Sequence, residues 1–290
     1  MEVPIGLDQL CVFGMKPDAF VHLAASLDCR SVSLKADYDG RWNPYELPLW
    51  SMVEDRPLRR TVAHALADTG LTLELGEAVS IAPGRQMDFF VPQLDVFAEL
   101  GARRLNLIGQ ATKDRSFDMA QIARLNELCE ECGITVCIEF VANGWISSLA
   151  ELDTALAEIG GQPVHVLIDP MHFFRFGQTI ADLKGIDPAR FAYFQMCDVP
   201  MRGPGGKYLD EAVHERLAPG DGELPLVDLL AELPDHMIIS LELPQVTLAR
   251  SGVSHKERLG AAIEQARHVI RQARAAREGQ VPDRAARARL

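Results

Sequence analysis

Apolar and polar positions along the chain alternate between two rhythms. Short runs of aliphatic, β-branched and aromatic residues read as buried strands over approximately Ile5–Cys11, Ser31–Lys35, Leu71–Leu75, Arg104–Ile108, Ile134–Phe140, Val164–Asp169, Phe191–Cys197 and Met237–Leu243. Between them the apolar period lengthens to that of a helix, over Lys16–Leu27, Arg56–Asp68, Phe89–Leu100, Phe117–Cys132, Ser147–Ile159, a short Ile180–Leu183, Leu226–Leu233 and His255–Arg274. Capping residues agree: Ser147 and Ser148 lead to Glu151, and Ser254 precedes Glu257. Strict alternation implies parallel strands with right-handed crossovers, and eight such units close into an α/β (β/α)8 TIM barrel in a single domain. The alternative, an open doubly wound sheet, advertises a Gly-rich turn after its first strand, and GLDQLCVFG is not one. The barrel is read as residues 1–274. Ala275–Leu290, rich in Ala and Arg with little to bury, is expected to be a disordered tail.

Composition narrows the function. With 290 residues and 48% hydrophobic content the chain can fill one large core, and no segment approaches the ~18 unbroken apolar residues of a membrane span. The opening MEVPIGLDQL lacks a basic-then-apolar export pattern, so a cytoplasmic location without membrane contact is expected. Six cysteines in such a chain read as reduced thiols. Cys129 and Cys132 form a CxxC inside a helical pattern with no second pair, which favours buried thiols over a metal or redox site. A net charge of −12 argues against a nucleic-acid surface. The expected partner is a small-molecule substrate, and a homo-oligomer stays open.

The chemistry sits at the ends of strands. ITVCIEF, VHVLID, FAYFQMCD and MIISLEL place Glu139, Asp169, Gln195 and Glu242 in or just beyond apolar runs that would not otherwise tolerate them. Each alone is as readily an ion pair or a cap. Four in successive strands, at the end of a barrel where active sites form, predict a convergent hard oxygen site for a divalent metal, Mg²⁺ or Mn²⁺. IDPMHFFR adds His172, which Pro170 lets swing over the mouth. Arg202, in the Pro/Gly-rich loop after Gln195, is a candidate for gripping a substrate oxygen, or is a solvated loop arginine. Asp198 reads as the cap of that loop or a support for a ligand. Lys35 and Asp37 end the second strand, and the aromatic loop DYDGRWNPYELPLW offers Trp42, Tyr45 and Trp50 as a lid or as rim packing. Glu74 and Glu77, near the third strand, are weaker candidates.

This set resembles the xylose-isomerase-like barrels, the sugar phosphate isomerase/epimerase family. In that family a Glu ends one strand, Asp-x-x-His follows the next, a His or Gln opens an -x-x-Asp turn, and a Glu ends the last strand. Here the matching positions are Glu139, Asp169 with His172, Gln195 with Asp198, and Glu242. The resemblance implies a divalent metal (Mn²⁺, Mg²⁺ or Co²⁺) held by Glu139, Asp169, Gln195 and Glu242, with both glutamates available for proton transfer. Gln rather than His at 195 is similar to the hydroxypyruvate isomerase and 3-dehydroshikimate dehydratase branches, as is FQMCDVPMRGPGG followed by LAPGDGELPL. The spacing from Gln195 to Arg202 also resembles the isomerases' substrate-binding arginine. KYLDEAVHERL, between Arg202 and PGDGEL, is longer than the isomerase pattern and closer to dehydratase-type members.

The expectation is therefore a metal-dependent isomerase or epimerase acting through an enediolate on a small sugar-like or keto substrate. Glu139, Glu242 and His172 would be catalytic, and Arg202, His172, Lys35 and Trp42 would bind substrate. The alternative is a metal-dependent dehydratase of the 3-dehydroshikimate type.

Overall fold

The computed structural model describes residues 3–38, 47–109, 112, 114–141, 146, 148–159, 163–203, 205 and 208–280. Among these, eight parallel strands close a barrel: β1 (Gly6–Asp8), β2 (Ser31–Lys35), β3 (Thr72–Ile81), β4 (Arg104–Gly109), β5 (Thr135–Glu139), β6 (His165–Ile168), β7 (Phe191–Met196) and β8 (Ile238–Leu241). Each pairs with its sequence neighbours, and β1 pairs with β8 through Gly6–Ser240 and Leu7–Leu241. Helices cover the outside and bury one side of each strand in a large apolar core that includes Phe20, Val32, Leu105, Val136, Phe173 and Leu241. No helix among the described residues is long and apolar enough to cross a membrane.

The other side of each strand points into the barrel, and the two-residue period of a strand decides what reaches the mouth. Leu75, Cys137, Leu167 and Tyr193 pack together inside as a cluster separate from the outer core. Two residues further along the same strands come Glu77, Glu139, Asp169 and Gln195. The same step carries Gly6 to Asp8, Ser31 to Ser33, Arg104 to Asn106 and Ser240 to Glu242. Every strand thus delivers one polar side chain to the C-terminal end, where barrels build their sites.

Several boundaries differ from the sequence reading. β1 stops at Asp8 because the Asp8 side chain accepts from Leu10 N at 2.8 Å and turns Gln9–Cys11 into a 3-10 helix. β3 runs past Leu75 to Ile81 with a bulge between Gly76 and Val79, which brings Glu77 into the strand. Gly76 is required there, since a Cβ would lie 2.8 Å from the Phe97 ring. KYLDEAVHERL contains a helix, Tyr208–His214. The last helix runs from His255 to Gln280, six residues beyond the Arg274 stop read from the sequence. Arg277 explains the extension: its guanidinium donates to the carbonyls of Leu230 at 2.6 Å and Ala231 at 3.0 Å, satisfying the end of helix Leu226–Glu232. Residues 281–290 of the expected tail lie outside the described residues.

Candidate active site

Side chains from successive strands form a nearly continuous ring of hydrogen bonds around the mouth. Asp8 accepts from the Ser33 hydroxyl and, through its other oxygen, from Leu10 N. Asn106 Nδ2 joins Glu77 Oε2 at 3.1 Å to Glu139 Oε2 at 2.7 Å. Glu139 Oε1 lies 3.2 Å from His172 Nε2, and His172 Nδ1 lies 2.7 Å from the Tyr208 hydroxyl. A carboxylate only accepts, so Nε2 carries the hydrogen toward Glu139, and in a neutral imidazole Nδ1 accepts from Tyr208. Gln195 Nε2 stands 3.0 Å from Glu242 Oε1, 3.1 Å from Glu77 Oε1 and 3.3 Å from Asp8 Oδ2. Asp169 begins helix Pro170–Arg175 by accepting from His172 N at 3.1 Å, which fixes the Asp-x-x-His pair.

The ring is completed by Arg216, which the sequence reading did not single out. Its Nη1 donates to Asp169 Oδ2 and, at 2.8 Å, to Glu242 Oε2. The guanidinium is 3% exposed, so it is a buried cation between two buried carboxylates. The segment that carries it is pinned on both sides. Arg216 N bonds Pro244 O at 2.9 Å, and Leu217 exchanges backbone bonds with Asp198. Asp198 in turn accepts from Val199 N, Gly220 N and Leu224 N, so it orders the PGDGEL turn as a loop cap. Gly222 leaves room for this, since a Cβ there would lie 2.2 Å from Asp198 Oδ1.

Charge is distributed unevenly. Burial alone would push Asp169 up, but Arg216 and His172 outweigh it and hold its carboxyl below the usual range. Glu242 is pushed well up, first by burial and then by Asp8, Asp169 and Glu139, with Arg216 opposing. Glu77 is likewise pushed well up, by burial and by Asp8 beside it, with Lys35 opposing. Among the described residues, two groups of side chains could hold a metal ion: Glu139 with Asp169 and His172, and Asp8 with Glu77 and Glu242. Within each, the donor atoms all lie within 4.8 Å of one another.

The sequence-predicted quartet reaches one mouth, where Asp169 and Glu242 share one nitrogen of Arg216. Glu139 and Asp169 fall in one group, Glu242 in the other, and Gln195 turns its amide toward the second. Lys35 stands next to Glu77, and its ammonium lies 5.8 Å from the Tyr38 ring centre. Arg202 is exposed, and no hydrogen bond among the described residues links it to the site carboxylates. Trp42 and Tyr45 lie outside the described residues, whereas Trp50 pairs with Tyr38 across the short strands Asp37–Tyr38 and Trp50–Ser51. Glu74 is tied to Arg103 at 3.1 Å and also to Arg104. Asp8, Ser33, Asn106, Tyr208 and Arg216 were missed. For Asp8 the signal was available: it is a carboxylate in the apolar run VPIGLDQLCVF.

A closed (β/α)8 barrel with acidic and amide side chains ringed at its mouth defines a broad class of enzyme scaffolds. The chain belongs to the xylose isomerase-like TIM barrel family, whose model matches residues 21–275. None of the curated proteins matches it as a relative. Among solved structures it is similar to a xylose isomerase domain protein from Alicyclobacillus acidocaldarius, at 20% identity over 93% of this chain and 99% of that one, TM-score 0.72. It is also similar to an IolI protein with a bound zinc atom, at 15% identity over 92% and 98% of the chains, TM-score 0.76. A D-psicose 3-epimerase solved in the presence of D-fructose matches at 15% identity over 92% and 99%, TM-score 0.68.

Proposed function

We propose that this chain is a divalent-metal-dependent isomerase or epimerase that moves a proton at the carbon beside a carbonyl of a small sugar-like or keto substrate. The observation that carries this reading is the buried Glu139, held by Asn106 on one oxygen and by His172 on the other, facing a mouth rich in carboxylates. The zinc of the IolI protein and the ketose of the epimerase structure agree with it. When bound, the ion supplies a Lewis acid that acidifies the carbon acid next to the carbonyl. Glu139 takes the proton from that carbon, and Asn106 keeps its second oxygen from rotating away. His172 Nε2–H orients the Glu139 carboxylate, with its ring fixed from behind by Tyr208. Glu242, from β8 three strands around the barrel, is the second carboxyl for returning a proton, and Arg216 fixes its orientation. The residues able to hold the ion are those of the two acidic groups, together with Gln195.

The test is incubation in D2O with hydroxypyruvate, a panel of ketoses and their phosphates, and 3-dehydroshikimate, followed by mass spectrometry. Metal-dependent deuterium uptake beside the carbonyl, with an isomer as product, is the expected result. Dehydration of 3-dehydroshikimate to an aromatic product would favour the lyase alternative, for which His172 and Tyr208 offer an acid for the leaving hydroxide. Protein that binds no divalent metal and exchanges no proton with any of these compounds would defeat the proposal.

A further inference from the structure

We propose that Arg175 is a positioning residue. Through its buried pair with Glu211 it sets the register between the helices Pro170–Arg175 and Tyr208–His214, and so holds the Tyr208 hydroxyl against His172. The catalytic consequence rests on the proposed role of Glu139, whereas the placement of His172 does not.

The two helices are tied at two points, three residues apart on each. His172 Nδ1 meets the Tyr208 hydroxyl at 2.7 Å, and Arg175 meets Glu211. Residues three apart lie on one face of a helix, so both ties belong to one seam. They differ in strength. The first is a single hydrogen bond between neutral groups. The second is a fork, Nε to Oε2 and Nη2 to Oε1 at 2.7 Å each, between side chains only 9% and 7% exposed. A charge-assisted bidentate pair fixes orientation as well as distance, which a lone hydroxyl cannot. The weaker tie therefore follows the stronger one.

Arg175 also reaches the loop after β7. Its Nη1 donates to Met201 O at 3.0 Å and its Nη2 to Pro200 O at 2.6 Å, so the Nε hydrogen, both Nη2 hydrogens and one on Nη1 are used. Gly203 runs so close that a Cβ there would lie 3.0 Å from Arg175 Nε. Three segments thus meet at one side chain: the helix that carries His172, the loop after β7, and the helix that carries Tyr208. Lysine, a point charge without a planar fork, could not hold all three.

The effect passes on to the carboxylate. With Nδ1 accepting from Tyr208, His172 presents Nε2–H to Glu139 Oε1 at 3.2 Å. A slip in register takes the donor from Nδ1 and frees the ring to turn away from Glu139. What is lost is orientation, which lowers turnover rather than substrate binding. Arg175 acts only through Tyr208 and His172.

The experiment uses full-length protein labelled with ¹⁵N-histidine and reads the His172 Nδ1 resonance at fixed pH, assigned by its absence in His172→Gln. Tyr208→Phe supplies the position of that resonance with the hydroxyl gone. The decisive variant combines Arg175→Met with Glu211→Leu, since apolar replacement of a whole buried ion pair is often neutral for stability. Its thermal midpoint is expected close to wild type, with the Nδ1 resonance moved at least halfway to the Tyr208→Phe position. For whichever compound of the D2O panel exchanges, kcat is expected to fall about three- to tenfold, with KM within about twofold of wild type. A folded double variant with the resonance in its wild-type place would overturn the proposal, make the pair a structural tie and leave the proposed function standing. So would a moved resonance with kcat unchanged. Should the double variant not fold, Glu211→Gln decides: it keeps the size and weakens the fork, the resonance is expected to move the same way, and a wild-type position would overturn the proposal. Absence of exchange with every compound would defeat the proposed function, while the resonance would still decide the role of Arg175.

Discussion

The two sides of the barrel mouth handle buried charge in opposite ways. On the β5–β6 side, carboxylates are paired: Asp169 with Arg216, Glu139 with His172, and Arg175 with Glu211 just outside them at 2.7 Å. On the β1–β3 side, Asp8 and Glu77 face one another and Glu242 across a single amide, with Lys35 beside Glu77 and Arg216 on the far oxygen of Glu242. The paired side draws its partners from the segment Tyr208–Leu217, which contributes Tyr208, Glu211 and Arg216. The other side draws on the strands, with Arg216 reaching it only at Glu242. A buried carboxylate without a partner stays protonated or attracts a cation. The comparison therefore separates a side built for orientation and proton handling from a side left open to a charge from outside.

The sharpest way to break that contrast is Arg216→Met. It leaves Asp169 and Glu242 buried without their shared cation, and removal of one partner of such a pair costs about 3–5 kcal/mol. Chemical denaturation should show this loss, and Mn²⁺ should restore part of it by entering the vacated gap. An unchanged denaturation midpoint would mean that the arginine is not the counter-charge of this pair.

Glu139→Gln keeps the size and the Asn106 contact but removes the base. Proton exchange into the substrate should fall by about 10²–10⁴-fold, the usual worth of a positioned general base, with the thermal midpoint nearly unchanged. A large fall in stability with exchange intact would make Glu139 a structural partner of His172 instead.

The unpaired side predicts a pH signature in metal-free protein. Glu77 and Glu242 have raised values, so the folded state retains protons that the unfolded chain releases above its ordinary value of 4.5. Stability therefore falls as pH rises from there through the raised values, by at most about 1.4 kcal/mol per pH unit for each group. Asp169 has the opposite sign: its contribution is present above its unfolded value and lost as pH falls through its lowered one. Mn²⁺ should flatten the rise-side slope, and Glu77→Gln should reduce it without metal. A flat metal-free profile in thermal scans would show that these acids are already compensated.

Much of this was legible in the sequence, for a physical reason. Burial makes a polar residue in an apolar run conspicuous, and that picked out Glu139, Asp169, Gln195 and Glu242 along with all eight strands. What escaped depended on three-dimensional facing. Glu77 looked peripheral because the bulge at Gly76 that extends β3 has no clear local signal. Asp8 was absorbed into a strand that its own side chain ends. Arg216 and Tyr208 lie in a charged helical segment that reads as solvated surface, and only the backbone pairing of Leu217 with Asp198 turns Arg216 inward. Arg202 fitted a spacing, but the buried guanidinium comes from 14 positions later.

The smallest expected effect tests whether the paired side works as one unit. Tyr208→Phe removes only the hydroxyl that meets His172 Nδ1, and the ring can keep its place beside Phe176, whose centre lies 5.8 Å away. Loss of one such hydrogen bond is worth about 1 kcal/mol, so exchange should fall less than tenfold and stability should change little. The informative measurement is the double variant with Glu139→Gln. If Tyr208 acts by holding His172 against Glu139, its loss should matter less once Glu139 is no longer a carboxylate, giving a coupling of at least about 0.5 kcal/mol. Fully additive effects would place Tyr208 outside the proton-handling unit, as packing for the Tyr208–His214 helix, and the paired side would then end at His172.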